Sequence, residues 1–289
     1  MTVNIYNDSL TAKISEKGAE LVSLKSKGIE YIWQGDPAYW KWHAPILFPF
    51  IGQLKHNQYS YKGKYYQMPK HGFARDCQFD LIEHTNEYAI FSLESNEETL
   101  KLYPFTFHLT VKYEIWGEGL RVRYNIQNLG EEEMIFALGS RPAFNLPLKE
   151  EHKFEDYYFS FLPSKCRINM PLEEQLVNWE QRTLGQTNTY LGINRELFSN
   201  HSLIYETRGF NAFTIETEDC PHNVTVAYKN IPYVSLWSPY PEKAPFVCIE
   251  PWCGLIDTTD STGRLEDKVG MNRLSAKEQF KTQYSIIVH

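Results

Sequence analysis

An all-β fold of antiparallel sheets with very little helix is predicted by three observations on this chain of 289 residues. Apolar residues alternate with polar ones at a period of two over long stretches, which turns one side of each strand toward a core and the other toward water. The alternating runs are short and recur between turn-forming residues, the spacing of a large sandwich. Helical periodicity, by contrast, is scarce. The length allows one or two domains, and because no linker-like composition interrupts it, a single domain over 1–289 is expected.

A first strand is expected from Ala19 to Ser26. The segment Ala44-Pro-Ile-Leu-Phe-Pro-Phe-Ile-Gly52 leads into a Tyr-rich, Gly-containing hairpin. Beyond it, Lys70-His-Gly-Phe-Ala-Arg-Asp76 has no apolar periodicity and reads as a loop. A strand follows from Tyr88 to Glu94. Phe105, Phe107, Leu109, Val111, Tyr113 and Ile115 then alternate with Thr106, His108, Thr110, Lys112 and Glu114. After a Gly117-Glu-Gly119 turn, Leu120 to Ile126 repeats the pattern, so the two runs predict a long antiparallel hairpin. His108 falls on its polar side and reads as a sheet-face residue. Further strands are expected over Met134 to Leu138, Phe213 to Glu216, Asn223 to Tyr228, Tyr233 to Trp237 and Gln283 to Val288. Two helical pieces are expected. One is a turn or two over Leu172 to Trp179, inside an irregular stretch from Pro163 to Asn200 that is long enough for a binding loop or lid. The other follows Ser275, where Glu278 completes a Ser-x-x-Glu capping box.

The net charge of -7, with no stripe of Lys and Arg, argues against a nucleic-acid partner, whose phosphates need clustered cations. The N-terminus Met1-Thr-Val-Asn-Ile-Tyr-Asn-Asp8 has neither a basic start nor an apolar core, and no window approaches the ~18 apolar residues of a spanning helix. A cytoplasmic location without membrane contact is therefore expected. The five cysteines, Cys77, Cys166, Cys220, Cys248 and Cys253, are odd in number and scattered, the pattern of reduced and mostly buried thiols. Cys248, Cys253 and His222 lack metal-ligand spacing, so no metal is expected.

Glu250 lies in Pro245-Phe-Val-Cys-Ile-Glu-Pro-Trp-Cys-Gly254, between a strand-like apolar run and a rigid Pro-Trp step. A carboxylate so placed is aimed rather than solvated, as a general base would be; an ion-paired glutamate at a strand end leaves the same pattern. The ordered set Gly18-Ala-Glu-Leu-Val-Ser-Leu24, Trp33-Gln-Gly-Asp-Pro37, Lys70 to Asp76, Tyr103-Pro-Phe105, Pro142-Ala-Phe-Asn145 and Ile249-Glu-Pro-Trp252 resembles the aldose 1-epimerase (galactose mutarotase) family. The similarity is closest to its lactose-operon-associated branch and runs from about residue 4 to the C-terminus.

That resemblance implies a β-supersandwich whose site lies in a groove across one sheet. It also implies interconversion of the α and β anomers of an aldose, with no cofactor. A base takes the proton of the C1 hydroxyl, an acid protonates the ring oxygen, the ring opens, the C1–C2 bond rotates, and closure reverses the roles. By resemblance Glu250 is the base, His71 orients the sugar, and Arg75 accompanies it. Aromatics make up 15% of the chain. Trp237 and Trp252 stand beside the motifs as candidate stacking faces, and Asn145 and Gln53 as further substrate contacts. The expected partner is a small carbohydrate, a hexose or hexose phosphate, bound by a monomer or homodimer.

Three positions depart from the branch pattern. Gly139-Ser-Arg141-Pro-Ala-Phe144 stands where Gly-His-Pro-x-Phe is expected, so an arginine replaces the family's general acid. Phe198-Ser-Asn-His201 carries His201 where the branch has an aspartate, and Gly52-Gln53 replaces Gly-Arg. Arginine stays protonated to beyond pH ~12 and cannot trade a proton near neutrality. One reading keeps a mutarotase in which His71 or His201 donates the proton and Arg141 is a fixed hydrogen-bond donor. A second takes Arg141 and Arg75 as the grip on an anionic sugar such as a sugar phosphate, and a third leaves a noncatalytic carbohydrate-binding or regulatory module in the same groove. Arg141 in a structural ion pair is the fourth possibility.

Overall fold

A computed structural model describes all 289 residues, and it is built almost wholly of antiparallel sheet. Two large sheets dominate. The nine-stranded one runs in the order Leu191–Gly192, Tyr158–Leu162, Phe210–Thr217, Cys220–Lys229, Gln279–Val288, Gly119–Asn128, Phe107–Trp116, Tyr88–Glu94, Asp80–His84. The other runs Thr183–Gly185, Arg167–Asn169, Leu203–Glu206, Tyr233–Trp237, Phe246–Cys253, Leu138–Ser140, Ile46–Leu47, with Ala143–Asn145 also paired to Phe246–Cys253. No helix is long and apolar enough to cross a membrane.

The long hairpin is present as expected, with Phe107↔Asn128 at one end and Trp116↔Gly119 at the turn. Its buried positions alternate with half-buried ones along both strands, because one face packs into the core and the other does not. His108 sits on the second face, opposite Gln127 and Glu94. The Tyr-rich hairpin pairs Gln58–Tyr61 with Lys64–Gln67.

Neither expected helix forms. After Ser275 there is a single turn, closed by Glu278 N–H to the Ser275 carbonyl at 3.2 Å, with Lys277 at φ 65. The period-two run Gln279–Val288 then takes the chain into the nine-stranded sheet between two long partners, and that ladder outweighs a lone capping signal. Leu172–Glu173 and Leu176–Val177 instead make a tight hairpin whose turn residues Glu174 and Gln175 are left-handed, at φ 49 and 69. The helix that does form, Glu97–Leu102, is too short to show periodicity. It is nucleated by Asn96, whose side chain accepts from the Glu98 and Thr99 amides while the Thr99 hydroxyl accepts from Asn96 N–H.

Strand Phe246–Cys253 is buried at every position because both of its faces are covered. Val247 and Ile249 point into the main core, whereas Phe246, Cys248 and Trp252 pack into two smaller apolar clusters on the other face. Period two puts Glu250 on that second face, beneath a pocket.

Candidate active site

Four segments from three neighbouring strands and one loop meet around Glu250. Gly139 pairs with Trp252 on one side and with Leu47 on the other, so Arg141, two residues on, is delivered beside Glu250 with its amide bonded to the Pro45 carbonyl. Only glycine fits at 139, since a Cβ there would lie 2.7 Å from the Trp252 ring. The Lys70–Asp76 loop docks on the same edge. Its Gly72, at φ 74, lies so close that a Cβ would come within 2.1 Å of the Phe48 carbonyl oxygen. His71 N–H donates to the Gly52 carbonyl at 2.8 Å, and Gly52 N–H donates back to His71 Nδ1 at 3.0 Å. His71 itself is left-handed, at φ 70, a strained backbone for a non-glycine residue of the kind that concentrates at functional sites.

His71, Arg141 and Glu250 are 3%, 8% and 1% exposed. Arg141 Nε lies 3.3 Å from Glu250 Oε1, yet neither carboxylate oxygen accepts a well-formed hydrogen bond from the protein, and Arg141 Nε donates none. Burial pushes the Glu250 carboxyl up to about 7, although the charges of Arg141 and Lys70 and the facing Trp252 indole pull it down. Ser235, the cross-strand partner of Glu250, has a buried hydroxyl that is also unpaired, as is the Trp252 indole nitrogen. A structural ion pair saturates its lone pairs; this one leaves the carboxylate, Arg141 Nε, the Ser235 hydroxyl and the Trp252 indole without hydrogen-bond partners.

His71 carries a second mismatch. A neutral imidazole has one N–H and one lone pair, but Gly52 N–H faces Nδ1 and the Arg141 guanidinium faces Nε2, each at 3.0 Å. The Gly52 amide is fixed by the backbone, so its hydrogen bond assigns the lone pair to Nδ1 and the proton to Nε2. Burial, then the charges of Arg141, Arg75 and Lys70, hold the ring well below its usual pKa and therefore neutral. His71 thus cannot release a proton as an imidazolium would. Its Nε2–H and Arg141 Nη1–H are two donors converging where an oxygen could accept from both.

The cavity above this group measures about 220 Å³, below the ~300–1,000 Å³ of clefts for drug-sized ligands and of a scale for one sugar ring. Of the candidates from sequence, His71, Arg141, Glu250, His201, Gln53, Trp237 and Trp252 line it. His201 is an exposed residue of its rim. Trp237 stacks on the Arg141 guanidinium at 4.0 Å, and Trp40 flanks the same group at 5.0 Å. Two candidates do not line the cavity. Arg75 turns away to stack on Trp42 at 4.3 Å and to bond the Lys70 carbonyl at 2.7 Å. Asn145 spends its amide hydrogens on the carbonyls of Glu30 and Ile32, so it ties two segments together rather than facing a ligand. Lys70, Gln175 and Ser235 went unread in the sequence. A serine amid the apolar run Tyr233–Trp237 was the one local signal for Ser235; for Gln175 there was none, because its hairpin reads as irregular chain.

Residues 1–264 match the family model described as aldose 1-epimerase. The plasmid-borne protein LacX of Lactococcus lactis subsp. lactis is 32% identical over 300 residues, which span 100% of this chain and 99% of that one. Among solved structures, a galactose mutarotase related enzyme from Lactobacillus acidophilus superposes with a TM-score of 0.99 at 40% identity, over 100% of this chain and 97% of its own. A galactose mutarotase-like protein from Lactobacillus casei gives a TM-score of 0.91 at 33% identity, over the whole of both chains.

Proposed function

The chain belongs to the aldose 1-epimerase family, and on that premise we propose that it interconverts the α and β anomers of a neutral hexose with Glu250 as general base. The observation that carries this reading is a carboxylate 1% exposed, unsatisfied at both oxygens, facing a ring-sized cavity with its pKa near 7. A base so poised is deprotonated often enough to act at neutral pH and strong enough to take the C1 hydroxyl proton. Arg141 and the Nε2–H of His71 serve as fixed donors to the ring oxygen, which gains charge as the C1–O5 bond breaks. Trp252 and Trp237 wall the sugar.

The anionic-sugar reading has less support, because Arg75 is off the cavity and the Arg141 charge already lies beside Glu250. The noncatalytic reading draws on the absence of a proton-releasing group at Arg141 and His71. Exchange NMR between anomers, run with glucose, galactose and their 6-phosphates, separates the three. Faster exchange of a free hexose is expected; faster exchange of the phosphates alone points to an anionic substrate. Sugar binding without any acceleration would reduce the protein to a binding module.

A further inference from the structure

Resting on the mutarotase reading, we propose that Lys70 is the general acid, the group that hands a proton to the ring oxygen when the sugar ring opens. Lys70 precedes His71 on the loop locked to Gly52, and its Nζ donates to Gln175 Oε1 at 2.7 Å. Gln175 belongs to the tip of the Leu172–Val177 hairpin, and both residues line the cavity with Glu250 and Arg141. The loop and the hairpin therefore hold an ammonium group at the cavity that has the base beneath it.

The other titratable groups lining the cavity do not fill this role. Arg141 does not release its proton near neutrality. His71 is neutral, and a neutral imidazole N–H is no acid in this range. Tyr240 donates its hydroxyl to Glu196, which raises its pKa further. Glu242 and His201 line the rim with no side-chain hydrogen bond to hold them over the cavity, whereas Lys70 Nζ is held there by Gln175. The charges of Arg141, Glu250 and Arg75 all act on Lys70. Although the residue as a whole is exposed, desolvation of its ammonium, then the Arg141 charge, pushes its pKa down to about 8, against the pull of Glu250. It is thus a cation able to give up a proton near neutrality, which the arginine in the family's acid position is not.

The step balances. The Glu250 carboxylate takes the C1 hydroxyl proton, and the freed O1 electron pair forms the C1=O1 double bond. The C1–O5 bond breaks with its pair going to O5, and O5 takes a proton from the Lys70 ammonium, leaving a neutral amine and an open-chain aldehyde. After rotation about C1–C2, the amine takes the O5 proton back as O5 attacks the other face of C1, and O1 recovers its proton from Glu250.

Lys70→Arg keeps charge and reach but cannot release the proton; Lys70→Met removes both. Anomer exchange for each is measured on both sides of pH 8. An alkaline fall of kcat/KM near pH 8 is expected of the wild type, and both variants are expected to lose it and to lose kcat by ~10²-fold with KM little changed. Exchange that survives in Lys70→Arg, a raised KM with kcat intact, or a comparable loss in His201→Gln with Lys70→Arg active would overturn the assignment and leave the mutarotase reading standing. A wild type that does not accelerate exchange at all overturns both.

Discussion

Two buried arginines stand in the same apparent environment and differ in how their hydrogen bonds are met. Arg167 is 2% exposed and packs on Phe213 at 5.0 Å; Arg141 is 8% exposed and packs on Trp237 at 4.0 Å. Around Arg167 the acceptors are complete and neutral. Its Nε and Nη2 donate to Asn211 Oδ1, Nη2 also to the Pro163 carbonyl, and Nη1 to the Thr187 hydroxyl. Around Arg141 the nearest partners are a carboxylate it does not saturate and a histidine nitrogen that carries its own proton. Burial and aromatic stacking therefore do not separate structure from function here. Saturation is what distinguishes the two: the hydrogen bonds of Arg167 close within the fold, and those of Arg141 stay open, as the proposed ligand site requires.

The comparison breaks most sharply at Arg167. Removing it by Arg167→Met strands Asn211 and several carbonyls in the interior, and since each stranded neutral acceptor costs ~1–3 kcal/mol, a loss of ~3 kcal/mol or more in unfolding free energy is expected. Anomer exchange per folded molecule should persist; urea melts together with NMR exchange read the two quantities separately. Loss of exchange with stability intact would place Arg167 in the catalytic machinery and refute the saturation argument.

Next in size is Glu250→Gln, expected to lower kcat by on the order of 10²-fold or more, about 2.7 kcal/mol of barrier. Its effect on stability depends on pH. The folded-state pKa of Glu250 is raised from 4.5 to about 7, so the native state binds the proton more tightly than the unfolded one, and this group makes wild-type stability fall as pH rises between those values. The glutamine variant lacks that fall, and should gain on the wild type in melting temperature across this window. Parallel melting curves for the two proteins would mean the carboxyl titrates at its ordinary value.

The smallest effect belongs to Arg141→Met, which sharpens the contrast with Arg167. Arg141 lowers the Glu250 pKa, so its removal should move the acidic limb of kcat/KM to higher pH, with kcat reduced and folding free energy changed by less than the Arg167 variant. A destabilisation as large as that of Arg167→Met, with an unmoved acidic limb, would make Arg141 a structural residue as well.

What the sequence determined by itself was whatever is encoded locally. Period-two alternation from Phe105 to Ile126 specified a hairpin that the structure contains nearly residue for residue, and the apolar run before Glu250 read as a strand, which the structure contains as Phe246–Cys253. Local rules failed where a longer-range partner outbid them. Ser275 to Glu278 carries a capping box, but the following ten residues complete a nine-stranded sheet, and Leu172 to Val177 turns back on itself beside the cavity. The tertiary structure alone decided the chemistry. Residues 52, 71, 141 and 250 are neighbours only because Phe246–Cys253 pairs with Leu138–Ser140, which pairs with Ile46–Leu47, and the Lys70 loop docks on that edge. The same convergence sets the protonation states, for a pKa answers to burial and to nearby charge, and neither exists until the strands are side by side.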